Sequence, residues 1–367
     1  MSDWMEALLA AARQAPSGDN TQPWRFVVGP NTVALDLDPL RDPSPMNAGQ
    51  RMSRIAVGAA LENMIRAARA LGLGADLDAD PSPYLARVRI SGDFTAGGAL
   101  PDPDLGARAT NRRPYDGRAV APGVLARLAA ETPERGGVVT HWVVGVDRLK
   151  ALAETIGRAD GVMFGDPRMR RAFLGNVRFD RPPGEAVDEG LSLGSLELTA
   201  ADRLALRVMR RVPDPVLKLG RASAVFHGKA RQLLLSASGL FVVAAPDGSE
   251  RTDVEVGRAA QRAWLALTAS GLVAQPMMSV PVLANALDHG DANLRAALGV
   301  ARVSSLLCEF RGHVPELGAS RPAWLMRFGY APPPSGRTGR LPGAAVTTYH
   351  GATGSVPEHD HARGSAS

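Results

Sequence analysis

The residue types that could do chemistry in this chain are gathered in a few short segments. Residues 15–24, Ala15-Pro16-Ser17-Gly18-Asp19-Asn20-Thr21-Gln22-Pro23-Trp24, form a loop punctuated by proline and glycine. In such a loop the short, stiff side chains of Ser17 and Asn20 can offer hydrogen bonds to hydroxyls or ring polar atoms. Arginines pair at Arg112-Arg113 and stand close at Arg337 and Arg340; guanidinium forks match phosphate oxygens. A nucleophile is harder to find. Gly190-Leu191-Ser192-Leu193-Gly194 has GxSxG spacing, but a nucleophile elbow needs a buried strand before the serine. RPPGEAVDE stands there instead, so Ser192 is expected in a turn. Glu358-His359-Asp360-His361 could hold a metal by composition, yet it lies in a segment with no scaffold to fix geometry. His141, His227, His289 and His313 are not spaced as ligands, and no metal site is expected. The single cysteine, Cys308, excludes intramolecular disulfides and cysteine-based zinc sites. There is no Walker A motif and no GxGxxG after a strand, which argues against a separate dinucleotide-binding domain.

The elements that would position these residues are organised as a repeat. Residues 55–74, IAVGAALENMIRAARALGLG, align with residues 254–273, VEVGRAAQRAWLALTASGLV, at an offset of 199, with Gly58 on Gly257 and Gly72 on Gly271. Each reads as a buried helix closed by a C-terminal glycine. A weaker match needs one gap: residues 8–29 resemble residues 125–145 in a helix, loop and strand order, with Pro16 on Pro133. The difference between the offsets, 199 minus 117, leaves 82 extra residues in the second copy, expected as an insertion over about 155–240. Within it lie a basic, aromatic stretch (168–179), a Pro/Gly turn (181–184) and an amphipathic helix (200–211), read as a cap over a cleft. The domain reading is a first half over 1–100, a second half over 105–342 and a tail over 343–367 that lacks periodicity and is expected to be disordered.

With 367 residues and 45% hydrophobic content the chain can bury a sizeable core. No apolar run approaches the 18 residues that span a bilayer, and no basic segment precedes an apolar one at the start; a soluble, cytoplasmic protein without membrane attachment is expected. The net charge is +5, but the arginines are dispersed and no nucleic-acid-binding signature accompanies them. No nucleic-acid partner is expected.

The loop at 15–24 resembles the APSxxNxQPW signature of FMN-dependent nitroreductases. Thr110-Asn111-Arg112-Arg113-Pro114-Tyr115 looks like the arm that opens such subunits, followed by a helix from about residue 122. Gly271-Leu272-Val273-Ala274-Gln275-Pro276-Met277-Met278 is similar to the segment that runs beside the flavin in that family. Gly329-Tyr330-Ala331-Pro332, with Arg337 and Arg340 beyond, is similar to its closing strand and phosphate-contacting residues. Together these cover most of residues 6–342, and the likeness is nearest to the single-chain, Acg-like branch with two nitroreductase-like halves. Pro114, Asp116 and Met278 depart from the usual pattern.

The resemblance implies an α+β, nitroreductase-like fold: two pseudo-repeated halves fused in one chain, helices around central mixed or antiparallel sheets, and a helical cap insertion. It implies one FMN per chain, because the first half keeps the loop while the second keeps the arm and basic tail, and the second copy of the loop has decayed to Pro133-Glu134-Arg135-Gly136-Gly137. The cofactor-binding residues it implies are Pro16, Ser17, Gly18, Asn20, Gln22, Asn111, Arg112, Arg113, Pro114, Met277, Met278, Ser279, Arg337 and Arg340. The main-chain N–H groups of Met278 and Ser279 would serve the edge of the ring where charge develops on reduction. Arg112, Arg113, Arg337 and Arg340 would serve the phosphate. No side chain is implied as catalytic; the activity would be ping-pong hydride transfer from NAD(P)H through FMN to a flat, electron-poor acceptor such as a nitroaromatic, a quinone or a specialised metabolite. The other reading is a flavin-storage or sensing protein whose cap excludes pyridine nucleotides. A pseudo-dimeric monomer is expected, with further self-association left open.

Overall fold

The computed structural model describes residues 2–93, 102–182, 185–219 and 222–349. The boundary expected near residue 100, part of the 181–184 turn, and residues 350–367 of the expected tail, including the Glu358 to His361 run, lie outside the described residues. The first part of the chain comprises α1 (Asp3–Arg13), β1 (Trp24–Val28), β2 (Thr32–Leu37), α2 (Arg51–Ala70), β3 (Gly74–Leu77) and β4 (Ala86–Ser91). A short α3 (Pro103–Ala107) leads to α4 (Pro122–Ala130) and β5 (Val139–Val143). Next come α5 (Val146–Gly165), α6 (Pro167–Asn176), a two-residue pair β6 (Val177–Arg178) and β7 (Leu191–Ser192), α7 (Ala200–Arg211), α8 (Asp214–Leu219) and α9 (Ala222–Leu235). The chain then runs through β8 (Gly239–Ala245), α10 (Glu250–Ala269), β9 (Val273–Pro276), α11 (Ser279–His289), α12 (Ala292–Leu298), α13 (Val300–His313), β10 (Arg321–Gly329) and β11 (Thr347–Tyr349).

These strands build an α+β molecule with two sheets. One has the order β11-β1-β2-β4-β3 and the other β5-β8-β10-β9. Apart from β11, both follow the same path, with the third strand in chain order at one edge and the fourth inserted beside the second. All pairings in them are antiparallel except β11 on β1. The helices α2 and α10 precede the equivalent strands β3 and β9 and pack against each other. Their contact explains the glycines at the 199-residue offset. A Cβ on Gly58 would stand 2.0 Å from the carbonyl oxygen of Val254, and one on Gly257 would stand 1.9 Å from that of Ile55. The two backbones touch, so only glycine fits. Since Ile55 and Val254 are themselves 199 residues apart, the contact is reciprocal, as at a two-fold interface.

Charge locks this helix pair. Asp253, fully buried, accepts from Arg51 at 2.6 Å and Arg54 at 2.8 Å, both nearly buried. Glu62 accepts from Arg258 at 3.0 Å and Arg262 at 2.9 Å, and Gln261 donates to Asn63 at 2.7 Å. Around the pair, apolar residues of α1, α2, β1, β2 and β4 form one core, and those of α5, α9, α11, α13 and the second sheet form others.

Relative to the first sheet, the second carries two long connections. The link from β5 to β8 occupies residues 144–238, against 29–31 between β1 and β2. It starts before the expected residue 155 because α5 belongs to it. Its helix at 200–211 is as expected, closed by a capping box between Thr199 and Asp202. The link from β9 to β10, residues 277–320, was not expected; it holds α11 to α13, and the repeat match stops short of it at residue 273. Residues 343–349, expected as disordered, instead form a 3-10 turn and β11, with Phe26 N–H donating to the Val346 carbonyl at 2.8 Å.

Candidate functional site

The loop before β1 is held in an unusual backbone. Asp19, Asn20 and Gln22 all have positive φ, 45°, 60° and 52°, a region that asparagine and aspartate enter more readily than other side-chain-bearing residues. Ser17 Oγ accepts from the Gln22 N–H at 2.9 Å and closes the turn. Gln22, fully buried, ties three segments together: its amide donates to the Asp188 carbonyl at 2.6 Å, and its Oε1 accepts from the Leu341 N–H at 2.9 Å. Asn20 donates to Asp188 and Gly339 carbonyls at 3.1 and 3.4 Å. The loop is thus clamped to the cap on one side and to the strap leading to β11 on the other.

Beside it opens a pocket of about 430 Å³, within the usual range for small-ligand sites. Its walls come from this loop, the small residues Ala56, Ala59 and Ala260 of the central helices, the segment after α3, the β9–α11 junction, the cap, and residues 336–340. One end is basic. Arg108 stacks over Trp264 with its guanidinium carbon 4.5 Å from the ring centroid and donates to the Gln14 carbonyl at 2.8 Å. Arg340 donates to the carbonyls of Arg13, Gln14 and Ala15 at 2.7, 3.1 and 3.1 Å, satisfying the open end of α1. Arg337 donates to the Gly106 and Ala107 carbonyls.

None of the three is ion-paired to a carboxylate among the described residues, and Arg108 Nε is buried without a partner. Burial, reinforced by the like charges of Arg340 and Arg337, pushes Arg108 down to about 9; burial alone pushes Arg340 down to about 10. A bound anion would relieve both the uncompensated charge and the orphaned donor. The phosphate of FMN fits that end, which carries positive charge and a free guanidinium N–H.

The other parts of the pocket carry carboxyls. Asp19 is pushed up by burial, against the pull of the Asn176 amide at 3.1 Å and of the Arg112 charge. Asp42 is pushed up to about 7 by burial and by Asp19, and Asp160 to about 7 by burial. Arg112 donates to the Ser195 carbonyl at 2.7 Å and is pushed down by burial, although Asp19, Tyr115 and Glu197 oppose this.

Of the residues singled out in the sequence, Pro16, Ser17, Gly18, Asn20, Arg112, Met277, Met278, Arg337 and Arg340 line this pocket. Five do not. Gln22 is the clamp just described. Asn111, fully buried, donates to the Pro332 carbonyl at 2.8 Å and accepts from the Arg113 N–H. Arg113 is spent on Glu197 at 3.2 Å. Pro114 borders a separate hollow with Tyr115 and Tyr330. Ser279, buried at the first turn of α11, sits behind Met278 rather than on the wall. The expected quartet of phosphate arginines is therefore recast: Arg337 and Arg340 meet Arg108, while Arg112 stands apart beside Asp19. Arg108, Asp42 and Asp160 were missed, and only the four-residue spacing of Arg108 ahead of Arg112 hinted at the first. Ser192 is buried in the cap, its Oγ accepting from the Ser195 N–H at 3.1 Å. No group of three residues suited to a metal ion occurs among the described residues.

No family model matches this sequence. It is 27% identical over 340 residues, 90% of this chain, to the uncharacterized protein MT1398 of Mycobacterium tuberculosis strain CDC 1551, of which the match covers 46%. A second protein of that strain, MT3217, named for a proposed NAD(P)H nitroreductase activity, is 30% identical over 161 residues, 41% of this chain and 45% of its own length. The chain spans about half the length of the relatives it matches. Relatives of this chain thus include proteins named as nitroreductases. A solved FMN-dependent nitroreductase, NfnB of Mycobacterium smegmatis in complex with NADPH, matches 67% of this chain and 95% of its own at 20% identity with a TM-score of 0.36. That score is too low to carry the fold, which rests on the strand order above.

Proposed function

We propose that this chain binds one FMN in the pocket beside the central helix pair and works as an FMN-dependent NAD(P)H oxidoreductase on a flat, electron-poor acceptor. The observation that carries the reading is the convergence of Arg108, Arg337 and Arg340 without an acidic partner, at the end of a pocket where Arg340 also reaches the loop 15–24 through the Ala15 carbonyl and Asn20 Oδ1. Arg108, Arg337 and Arg340 would hold the phosphate. Ser17, Asn20 and Gln275 are among the polar side chains on the remaining walls. The N–H groups at the start of α11 would serve the ring edge on which negative charge develops. When bound, FMN would supply hydride chemistry, accepting from a pyridine nucleotide and delivering to the acceptor. The protein's own part is to orient, to exclude water beneath the cap, and to hold charge.

A single site fits the asymmetry of the two sheets. The loop equivalent to 15–24, residues 133–137, is largely exposed and closed by an Arg135–Val138 bridge, and it offers no clamp like that of Gln22. The reciprocal Gly58–Gly257 contact and the shared strand order support two related halves in one chain, so that a monomer supplies what a two-fold dimer would otherwise build. The site is proposed for a soluble, cytoplasmic protein; no helix of the described residues is long and apolar enough to cross a membrane.

Anaerobic mixing of the flavin-loaded protein with NADPH or NADH tests this. The expected result is rapid bleaching of the flavin absorbance, followed by recovery on adding a quinone or nitroaromatic. A flavin that bleaches with dithionite but with neither nucleotide would replace the oxidoreductase with a storage protein.

A further inference from the structure

The cap side of the pocket is walled by Phe164 of α5, Phe173 of α6 and Phe226 of α9. Phe164 and Phe226 are stacked with centroids 4.4 Å apart, and Phe173 meets Phe164 edge-on at 5.4 Å. Into this apolar wall the chain sets one carboxyl, Asp160, one turn before Phe164 on α5 and therefore on the same face. The Ser279 hydroxyl at the first turn of α11 lies near enough to oppose the effect of burial on the Asp160 carboxyl, while it donates to the Ile156 carbonyl at 3.5 Å. Met277 and Met278, immediately before Ser279, also line the pocket. The carboxyl thus stands between the acceptor space under the cap and the helix start proposed to face the ring edge.

Its surroundings leave it without a counter-charge. On the elements packed against α5, His227 and Arg231 of α9 are paired with Glu154, and Lys229 with Asp202. On α13, Glu309 is paired with Arg158 and His313, while Arg302 and Arg311 donate to backbone carbonyls. Arg168 of α6 reaches Asp166, its Arg170 and Arg171 reach Asp214, and Asp288 of α11 reaches Arg321; His289 ends that helix. No ion pair to Asp160 occurs among the described residues. Burial accordingly favours the neutral acid, pushing it up to about 7.

We infer that Asp160 is the proton donor to the acceptor that occupies the space beneath the cap, an inference that rests on the oxidoreductase reading. Two-electron reduction of a quinone-type acceptor consumes a hydride and a proton. FMN, when bound, would supply the hydride. The O–H bond of the Asp160 carboxyl breaks as an O–H bond forms on the acceptor oxygen, and water reprotonates the carboxylate once the product has left.

The test uses flavin-loaded protein reduced anaerobically with dithionite and mixed with benzoquinone between pH 5 and 9. The wild-type oxidation rate should fall about tenfold per pH unit above 7. In Asp160→Asn it should be lower by roughly 10²–10³ at pH 6 and flat with pH, and Asp160→Glu should regain part of the rate. Independently of turnover, carbon-13 carboxyl spectra of the flavin-free protein should show a resonance titrating near 7 that Asp160→Asn removes. Oxidation of Asp160→Asn within threefold of wild type with an unchanged pH profile, or no loss of a resonance titrating near 7, would overturn the inference. Because dithionite replaces the nucleotide, failure of NADPH to reduce the protein sinks the oxidoreductase reading separately.

Discussion

Arg108 is the side chain on which cofactor affinity should depend most. It is buried over Trp264 with an unpartnered Nε, and two neighbouring arginines share no carboxylate with it. Arg108→Gln should weaken FMN binding by about 10–150-fold, the weight of a charge-assisted hydrogen bond, read by flavin fluorescence titration with the circular dichroism unchanged. Equal affinity would place the phosphate elsewhere. Asp42 gives a pH signature in the flavin-free protein. Its folded pKa, about 7, lies above its unfolded value near 3.8. The stability it contributes is therefore full below pH 4 and is lost as pH rises through about 7. Asp42→Asn should raise stability at pH 8, on the order of 3 kcal/mol, and leave it little changed at pH 4, as urea unfolding at the two pH values would show. At this scale the sequence was half legible. Ser17, Asn20, Arg337 and Arg340 sit in a recognisable loop and strap, and they line the pocket. Arg113 and Asn111 carry the same residue types but are spent on Glu197 and on the Pro332 carbonyl, which only the tertiary packing decides. Arg108, Asp42 and Asp160 belong to no motif, because burial rather than spacing makes them unusual.

The α2–α10 pair was the most legible element. Glycines at equal positions in two helical patterns pointed to a shared role, and the structure supplies it as a reciprocal backbone contact. Gly257→Ala should cost about 3 kcal/mol or more, since the new methyl would meet a carbonyl oxygen that cannot move without its helix. Removing the buried charge by Asp253→Asn should cost about 3–5 kcal/mol, because Arg51 would stay buried without a counter-charge and Arg54 would keep only the exposed Glu250 at 3.8 Å. Both are read from chemical denaturation, and a loss under 1 kcal/mol for either would contradict the packing described. The helix at 200–211 was legible from its amphipathic pattern, and the structure adds the Thr199 cap. In contrast, β11 was invisible: its three residues show no alternation, and the strand exists because the edge of β1 offers it hydrogen bonds. The helices α11 to α13 escaped for a different reason. They are inserted after the last matched position of the repeat, so no offset betrayed them.

For the whole molecule, two sheets of matching strand order flank one helix pair, but the connections after β5 and β9 have grown only in the second. The first sheet keeps its tight loop before β1, and the strap through residues 336–349 crosses over to complete that sheet with β11. Crossing brings Arg337 and Arg340 to Arg108 and the loop, whereas the equivalent loop at 133–137 has no strap to meet. The asymmetry predicts one flavin for each chain, independent of self-association. Calorimetric titration of the flavin-free protein with FMN measures this directly. Saturation at one FMN per chain is expected, whereas saturation at two, or no binding, would overturn the single-site reading.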